Sequence, residues 1–241
     1  MHYSVQEMPK EQLQSKGLPG AWEAAYVAFE TPEQEIQKFS RRLLELGAAR
    51  WRRDAKIVEL FCGRGNGLHA LRRLGFDRIV GADLSPSLLT QYHGPAPCAV
   101  CDCRQLPFPN ESKDIVIVQG GLHHLLRLPD DLDRTFAEIH RILRKTGQLV
   151  VVEPWLTPFL SFVHLLCRSR LACRFSRRLD ALATMIRYER HTYEQWLRSP
   201  ELISRLAGTR FVAIGQRFSW GKWSFVGTPR LSSPSCSGRG V

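Results

Sequence analysis

Short apolar segments alternate with amphipathic segments along most of this chain from Lys56 onward. Five of the apolar segments have the length of buried β-strands, and they cover residues 56–61, 78–83, 98–102, 114–119 and 148–153. Strands that alternate with helices in this way predict a parallel sheet with helices on both faces.

Helix signals precede the first strand and separate the later ones. In residues 1–54, Ile36, Phe39 and Leu43 fall at helical spacing and Gly47 can end the helix, which predicts a helical N-terminal extension. Ser85 is a typical N-cap residue, and Pro86 follows it in the first turn. An apolar stripe predicts a further helix from about residue 130 to residue 147.

The C-terminal part has a different pattern. Thr192 and Gln195 form a capping-box pattern, which predicts a helix from there toward Leu206. Residues 210–216 and 222–227 have strand character, and the turn between them is too short for a parallel crossover, so we expect an antiparallel pair. Residues 228–241 are rich in Ser, Pro, Gly and Arg and are predicted to be a disordered tail.

Composition places the 241-residue chain among globular proteins, since 44% of its residues are hydrophobic and 24% are charged. We expect one main domain, residues 55–227, and a cytoplasmic location, because neither a secretory signal nor a long apolar run is visible. The net charge of +11 comes mainly from 27 arginines, which suit anionic partners. Cys98, Cys101 and Cys103 are close together but lack a second ligand pair, so the cysteines are predicted to be free thiols and no metal site is predicted.

A glycine-rich loop follows the first predicted strand. The sequence from Glu59, ELFCGRGNG, places Gly63, Gly65 and Gly67 at alternate positions, where the backbone can turn tightly and a ligand can lie against it. The spacing does not fit a dinucleotide fingerprint or a phosphate-binding P-loop. A nucleotide-type ligand without a required phosphate is therefore indicated.

Two carboxylates follow neighbouring strands. Asp83 ends the second predicted strand, where a carboxylate can accept hydrogen bonds from both ribose hydroxyls. Asp102 ends the third, where a carboxylate can accept one from an adenine amine. Together with the loop, these residues indicate an adenosine-containing ligand.

The motifs in this order resemble class I S-adenosylmethionine-dependent methyltransferases, in particular the branch that includes ubiquinone and menaquinone biosynthesis enzymes. The resemblance comes from ELFCGRGNG, GADLS around Asp83, CDCRQLPFPNESKDIVIVQGGLHHL from Cys101, and RILRKTGQLVVVEP. It implies a Rossmann-like α/β fold: a seven-stranded, mostly parallel sheet with one antiparallel strand and helices on both faces. It implies S-adenosyl-L-methionine as the cofactor.

The resemblance also assigns site residues. Asp83 is expected at the ribose, Asp102 at the adenine and the loop glycines at the methionine part of the cofactor. The complete predicted cofactor set is Glu59, Cys62, Gly63, Gly65, Gly67, Asp83, Leu84, Asp102, Cys103 and Gln119. Cys62 and Arg64 differ from the residues that the family usually has in this loop.

His123 and His124 follow the fourth predicted strand, at the edge of the sheet where ligands bind in such folds. An imidazole with a near-neutral pKa can remove a proton from the methyl acceptor, so both are candidate general bases, His124 first. The alternative is that one histidine packs in the core and the other only lines the pocket. The family's Asn-Pro-Pro-Tyr run, which marks amine methylation, is absent here, and its absence favours an oxygen or carbon acceptor on a small molecule.

Residues 154–191 are predicted to form a helical lid insertion, with Trp155, Tyr188 and His191 as candidate acceptor-binding residues. An apolar stretch followed by five arginines would suit a hydrophobic or anionic acceptor, peripheral contact with a membrane, or simply a solvated lid face. The sequence does not indicate an oligomeric state.

Two other functions remain open at this point. The basic charge would suit an RNA methyltransferase, but the positive residues are scattered and basic patches interleaved with aromatic residues are lacking, so a nucleic-acid partner is less favoured. A non-catalytic partner subunit that keeps the fold is the other alternative. The intact loop and both carboxylates argue against it.

Overall fold

The computed structural model describes residues 19–231, so the predictions for residues 1–18 and 232–241 lie outside the described residues. Seven strands form one sheet. They are β1 (Ile57–Leu60), β2 (Ile79–Asp83), β3 (Cys98–Val100), β4 (Lys113–Gln119), β5 (Leu143–Pro154), β6 (Phe211–Ser219) and β7 (Lys222–Pro229). Their order across the sheet is β3-β2-β1-β4-β5-β7-β6.

Within this sheet β7 alone is antiparallel to its neighbours β5 and β6, while the pairs from β3 to β5 are parallel. The predicted fold, a mostly parallel seven-stranded sheet with one antiparallel strand, is therefore confirmed. Parallel pairing brings the carboxyl ends of β1, β2, β4 and β5 to one edge of the sheet, which is the edge where such folds bind ligands.

Ten α-helices lie in the described part of the chain. They are α1 (Pro19–Phe29), α2 (Pro32–Glu45), α3 (Asn66–Arg73), α4 (Pro86–Leu89), α5 (Asp130–Ile142), α6 (Pro158–Arg168), α7 (Arg170–Phe175), α8 (Arg177–Tyr188), α9 (Arg190–Leu197) and α10 (Pro200–Arg210). Thr31 begins α2 with a reciprocal capping box to Gln34, and Ser85 caps α4 as expected. Gly47, with φ +105°, follows the end of α2.

Successive side chains of each strand point to opposite faces of the sheet, so the hydrophobic core is divided into two clusters, one on each face. Ile115 and Ile117 of β4 pack on the side of α2 and α3, whereas Val116 and Val118 pack on the side of α5 and α10. Burial on both sides explains why β4 has no polar residue between Asp114 and Gln119. None of the helices in residues 19–231 combines the length and the apolar character needed to cross a membrane.

Three predicted boundaries are wrong. The helix before β5 ends at Ile142, because the chain already pairs with β4 at Leu143. Thr192 does not open a helix: it lies inside α9, and Pro200 starts the separate helix α10. Strand β7 continues through Thr228 to Pro229, since Thr228 pairs with Val212, so the tail cannot begin at residue 228.

The helices outside the main α/β repeat enclose the ligand edge. Helix α1 packs against α8, and α2 packs against α3. The predicted lid, residues 154–191, contains α6, α7 and α8. The N-terminal extension and the lid are therefore in contact with each other, which the sequence did not indicate.

Candidate active site

The loop after β1 contains three glycines, and each is required for a different reason. Gly63 has φ +51° and faces open space, since the nearest atom to an added Cβ would be in Leu88 at 4.0 Å. Gly65 has φ +76° and faces the ring of Tyr92. Only Gly63 therefore leaves room for a ligand directly against the backbone.

Gly67 faces the carboxylate of Glu59, and a Cβ at this position would overlap that carboxylate. Glu59 is only 3% exposed, and burial raises its pKa to about 8. Its Oε1 accepts a hydrogen bond from Gln119 at 3.4 Å, while Oε2 has no partner within the described residues. A buried oxygen without a partner beside a glycine loop is a ready acceptor for a ligand amine.

Asp83 connects the end of β2 to the glycine loop. Its Oδ2 accepts a hydrogen bond from the Gly63 amide at 2.8 Å, and its Oδ1 accepts one from the Ser85 amide at 2.8 Å. Each carboxylate oxygen retains further acceptor capacity. The two predicted elements of an adenosine site are thus brought together.

Asp102 is already engaged by a residue of its own loop. The Nε and Nη2 atoms of Arg104 donate to the two carboxylate oxygens of Asp102, with Nη2 2.6 Å from Oδ2, and its third nitrogen, Nη1, donates to Asp131. The predicted contact with an adenine amine would compete with this pair. Sequence reasoning missed Arg104, although its position two residues after Asp102 suits a local ion pair.

The remaining predicted cofactor residues differ in exposure. Cys62 is buried beside Gly81, and Cys103 contacts the hydroxyl of Thr135 at 3.5 Å. Leu84 is 56% exposed. The six cysteines in the described part of the chain are not joined to one another by disulfides.

Arg64 was not predicted as a site residue, but it lines a cavity of about 620 Å³ together with Tyr26, Leu88 and Arg177. Its guanidinium stacks on the ring of Tyr26 at 4.4 Å, and its buried Nε and Nη2 have no hydrogen-bond partner within the described residues. These unpaired donors, the unpaired oxygen of Glu59 and the open face of Gly63 fit a ligand that has both anionic and cationic groups.

His123 is held from both sides at the carboxyl edge of the sheet. Its Nδ1 lies 2.7 Å from Oε2 of Glu153, whose Oε1 accepts hydrogen bonds from the amides of Gly121 and Leu122. Its Nε2 lies 3.6 Å from Oε2 of Glu189. Burial alone would lower the pKa of His123, but the two glutamates raise it to about 9.

His124 lies beside His123, with 4.1 Å between the ring centroids, and is 39% exposed. Burial and the adjacent His123 lower the pKa of His124 below its ordinary value of 6.5. Its Nδ1 is 4.0 Å from Glu189, which also accepts a hydrogen bond from the indole of Trp22 at 2.5 Å. His124 is therefore the accessible, neutral member of the pair.

His123, His124 and Glu189 are also the one group in residues 19–231 with the composition of a metal site, their ligating atoms lying within 4.8 Å of one another. Glu189 lies 65 residues after His124, within the predicted lid and between α8 and α9. Its sequence neighbourhood gave no signal of this contact.

The three predicted acceptor residues lie in different environments. Trp155 packs against Trp223 and Phe218, with ring centroids 5.4 and 5.2 Å away. Tyr188 and His191 are exposed. Tyr193, which sequence reasoning missed, is buried with its ring 5.8 Å from His123.

Three cationic side chains, those of Lys222, Arg42 and Lys38, lie near one another, and Arg42 connects them to Gln119. Lys222, at the start of β7, has no carboxylate oxygen within 4.0 Å among the described residues, and burial with neighbouring Arg42 and Lys38 lowers its pKa to about 8. Arg42 donates to Gln119 at 3.3 Å, and Lys38 pairs with Glu30. A half-buried ammonium without a carboxylate partner among the described residues suits an anionic ligand group.

Comparison with known proteins identifies this arrangement. Residues 58–151 match the family model of a methyltransferase domain. The chain contains a class I S-adenosylmethionine-dependent methyltransferase domain. The cofactor of this domain is S-adenosyl-L-methionine, so the predicted family and cofactor are confirmed.

The methyltransferase is similar to enzymes of quinone biosynthesis. The ubiquinone/menaquinone biosynthesis C-methyltransferase UbiE of Bordetella parapertussis is 29% identical over 143 residues, which are 58% of this chain and 49% of that protein. The demethylmenaquinone methyltransferase of Thermus thermophilus is 30% identical over 131 residues, which are 46% of this chain and 58% of that protein. The chain thus spans about half the length of the curated relatives that it matches.

The fold of the methyltransferase is also found in solved structures. The PH0226 protein from Pyrococcus horikoshii OT3 superimposes with a TM-score of 0.65 at 17% identity. The alignment covers 89% of this chain and 100% of that protein. At this identity the similarity shows a shared fold, while the acceptor differs widely among proteins of one fold.

Proposed function

We propose that the protein transfers a methyl group from S-adenosylmethionine to an oxygen or carbon atom of a small molecule. When bound, the cofactor supplies an electrophilic methyl group on a sulfonium with a good leaving group. The observation that supports the proposal most directly is the Asp83 carboxylate, fixed by the Gly63 amide beside the open face of the loop. The protein then has to orient the acceptor and remove its proton.

The cofactor would be held along the carboxyl edge of β1, β2 and β4. Asp83 would accept hydrogen bonds from the ribose hydroxyls, and Gly63 would border the methionine part. Glu59 and Arg64 offer unpaired buried groups for the amino and carboxylate ends, and Gln119 lies between Glu59 and Arg42. Asp102, Leu84 and Cys103 remain proposed for the adenine side, where Asp102 would have to share its carboxylate with Arg104.

His124 would accept the proton of the acceptor. Its side chain is 39% exposed, and its lowered pKa keeps it neutral near neutral pH. His123 would act as a positioning residue, since Glu153 and Glu189 hold it in place and favour its charged form. That charge beside His124 is what keeps His124 ready to accept a proton.

The acceptor would be a hydroxylated, partly apolar molecule such as an aromatic ring with an acidic hydroxyl. The names of the relatives in quinone biosynthesis support this class, and C-methylation of such a ring begins with loss of the hydroxyl proton. Trp155 and Tyr193 supply apolar walls, and Lys222 with Arg42 supplies positive charge for the resulting anion.

The test is a turnover assay with purified protein, S-adenosylmethionine and a panel of hydroxylated aromatic acceptors, which measures S-adenosylhomocysteine. We expect turnover with at least one acceptor, a fall in kcat of about a hundredfold in His124→Gln and unchanged cofactor affinity in that variant. Lys222→Met should raise KM for acidic acceptors more than for neutral ones. The exposed Lys145→Met is the matched control.

Other outcomes would overturn the proposal. Methyl incorporation into bulk tRNA, with none into the small molecules, would assign the protein to nucleic acid instead. Cofactor binding without turnover on any acceptor pool would assign it a non-catalytic role. Full turnover in both His124→Gln and His123→Gln would remove the histidines from the mechanism.

A further inference from the structure

The lid presents large apolar side chains to the outside. Neither α6 nor α7 has a buried residue. The 17 exposed large apolar residues of the described chain include Tyr188 at the end of α8 and eight others that belong to the lid or to the tip of the β6-β7 hairpin. These eight, which we call the lid surface, are Leu156, Phe159, Phe162, Leu165, Leu171, Phe175, Phe218 and Trp220.

The apolar positions on α6 form a continuous stripe. Phe159, Phe162 and Leu165 are three residues apart, so they follow one another along one side of the helix. Their exposed fractions are 44%, 58% and 63%. An amphipathic helix of a globular protein normally turns such a stripe toward the core, and here it faces outward.

The hairpin tip extends the same surface. The ring of Phe159 meets the ring of Trp220 edge to face, with centroids 5.2 Å apart. Directly before α6, the Trp155 amide donates to the Gly221 carbonyl at 2.9 Å. These contacts fix the start of α6 against the hairpin tip, so the exposed rings of Phe159 and Trp220 are continuous with each other.

Positive charge lies beside this patch. Residues 157–179 contain no acidic residue and five arginines, Arg168, Arg170, Arg174, Arg177 and Arg178. In the part of the chain that the structure describes, none of the five is in a salt bridge; Arg178 donates a hydrogen bond to Gln34. Residues 157–179, which contain most of the apolar positions of the lid surface, therefore carry five positive charges and no negative charge.

We propose that the lid surface docks on an anionic lipid bilayer. Aromatic and aliphatic side chains of this size gain free energy when they enter the boundary of the acyl chains. The tryptophan ring is suited to the interfacial zone, and the arginines complement negatively charged headgroups. An acidic protein would satisfy the arginines but has no need of an apolar stripe this long.

Docking would place the candidate active site close to the bilayer. His164 of α6 lies 3.1 Å from the hydroxyl of Tyr193, and the Tyr193 ring packs on His123. An acceptor dissolved in the bilayer would then enter the site through the lid. This step rests on the proposed function. The docking itself does not depend on it.

Co-sedimentation with lipid vesicles tests the docking without any cofactor or acceptor. The full chain is mixed with vesicles of phosphatidylcholine alone or of phosphatidylcholine with about one-third phosphatidylglycerol, over a series of salt concentrations. We expect sedimentation with the anionic vesicles that weakens as salt is raised. Phe159→Ser combined with Phe162→Ser should lower the partition coefficient at least about tenfold.

Arginine variants test the charge. Arg170→Gln combined with Arg174→Gln should weaken binding to the anionic vesicles about tenfold. The matched controls are Arg134→Gln with Arg205→Gln, two exposed arginines of α5 and α10, and Val212→Ser with Ile214→Ser, two exposed apolar residues of β6. Both control pairs should bind like the wild type. Circular dichroism and thermal unfolding verify that each variant is folded.

Three results would overturn the proposal. They are no sedimentation with either vesicle, equal losses in the control pairs and the lid variants, or a dimer in solution that disappears in the Phe159→Ser, Phe162→Ser variant. The last result would assign the lid surface to a second copy of the chain. If the wild-type chain bound anionic vesicles but showed no turnover with any acceptor, that result would count against the proposed function alone.

Discussion

The imidazole of His123 and the carboxylate of Glu153 form a buried pair, with Nδ1 2.7 Å from Oε2. Together with Glu189, this pair keeps His123 protonated in the folded protein up to a pKa of about 9, compared with an ordinary value of 6.5. A raised pKa contributes stability that is complete below 6.5 and is lost as pH rises through about 9. The contribution is on the order of 3 kcal/mol.

We therefore expect the free energy of unfolding by urea to fall for this reason between pH 6.5 and about 9. Glu59 and Lys222 also titrate near this range, so the difference between wild type and His123→Gln isolates the pair. That difference should shrink with rising pH. His93→Gln, an exposed control, should leave the pH dependence of the wild type unchanged.

Asp83→Asn should weaken the binding of S-adenosylhomocysteine by about ten- to a hundredfold, because hydrogen bonds to a carboxylate are stronger than those to an amide. The change also disturbs the bond that fixes the Gly63 amide. Isothermal titration calorimetry measures the affinity. Asp77→Asn, near the other end of β2 and paired with Arg72, is the matched control and should bind normally.

Gly67→Ala should destabilise the protein by several kcal/mol, since the added methyl group would overlap the buried carboxylate of Glu59. Gly208→Ala in α10 should be neutral or stabilise by up to about 1 kcal/mol, because nothing lies within 4 Å of its Cβ position. Urea unfolding of the two variants makes the comparison. Similar stability of both would contradict the close packing of Gly67 on Glu59.

The acid limb of the kcat profile should lie below pH 6.5, because the charge of His123 helps lower the pKa of His124. Removing that charge in His123→Gln should shift the limb to higher pH. A stopped assay over an acidic pH series measures it with saturating substrates. An unshifted limb, with kcat merely lower, would mean that His123 acts on folding and not on His124.

Patterns within one short stretch of sequence were enough to predict those parts of the candidate site that come from a single stretch. The glycine loop, Asp83 and the histidine pair each lie at or shortly after the end of a strand, and parallel pairing brings strand ends together. Gly47 and Ser85 marked their helix boundaries correctly for the same reason, since capping depends on adjacent residues.

The parts that were missed depend on contacts between distant segments. Tyr26 meets Arg64, Trp22 meets Glu189, and Tyr193 meets His123 through packing of helices that no spacing rule specifies. The early start of β5 was missed because residues 144–146 are polar and resemble a loop. The strand extends across them because Leu143 already pairs with Lys113 of β4, before the regular pairing resumes at Gln148.

Helix α1 contacts both halves of the site, through Tyr26 at the glycine loop and through Trp22 at Glu189. Displacing this one element would loosen the donor pocket and the proton-accepting histidines at the same time. Binding of the methyl donor in one half of the site would therefore depend on how well the acceptor half is ordered, and the reverse would also hold. Loading of donor and acceptor should then be cooperative rather than independent.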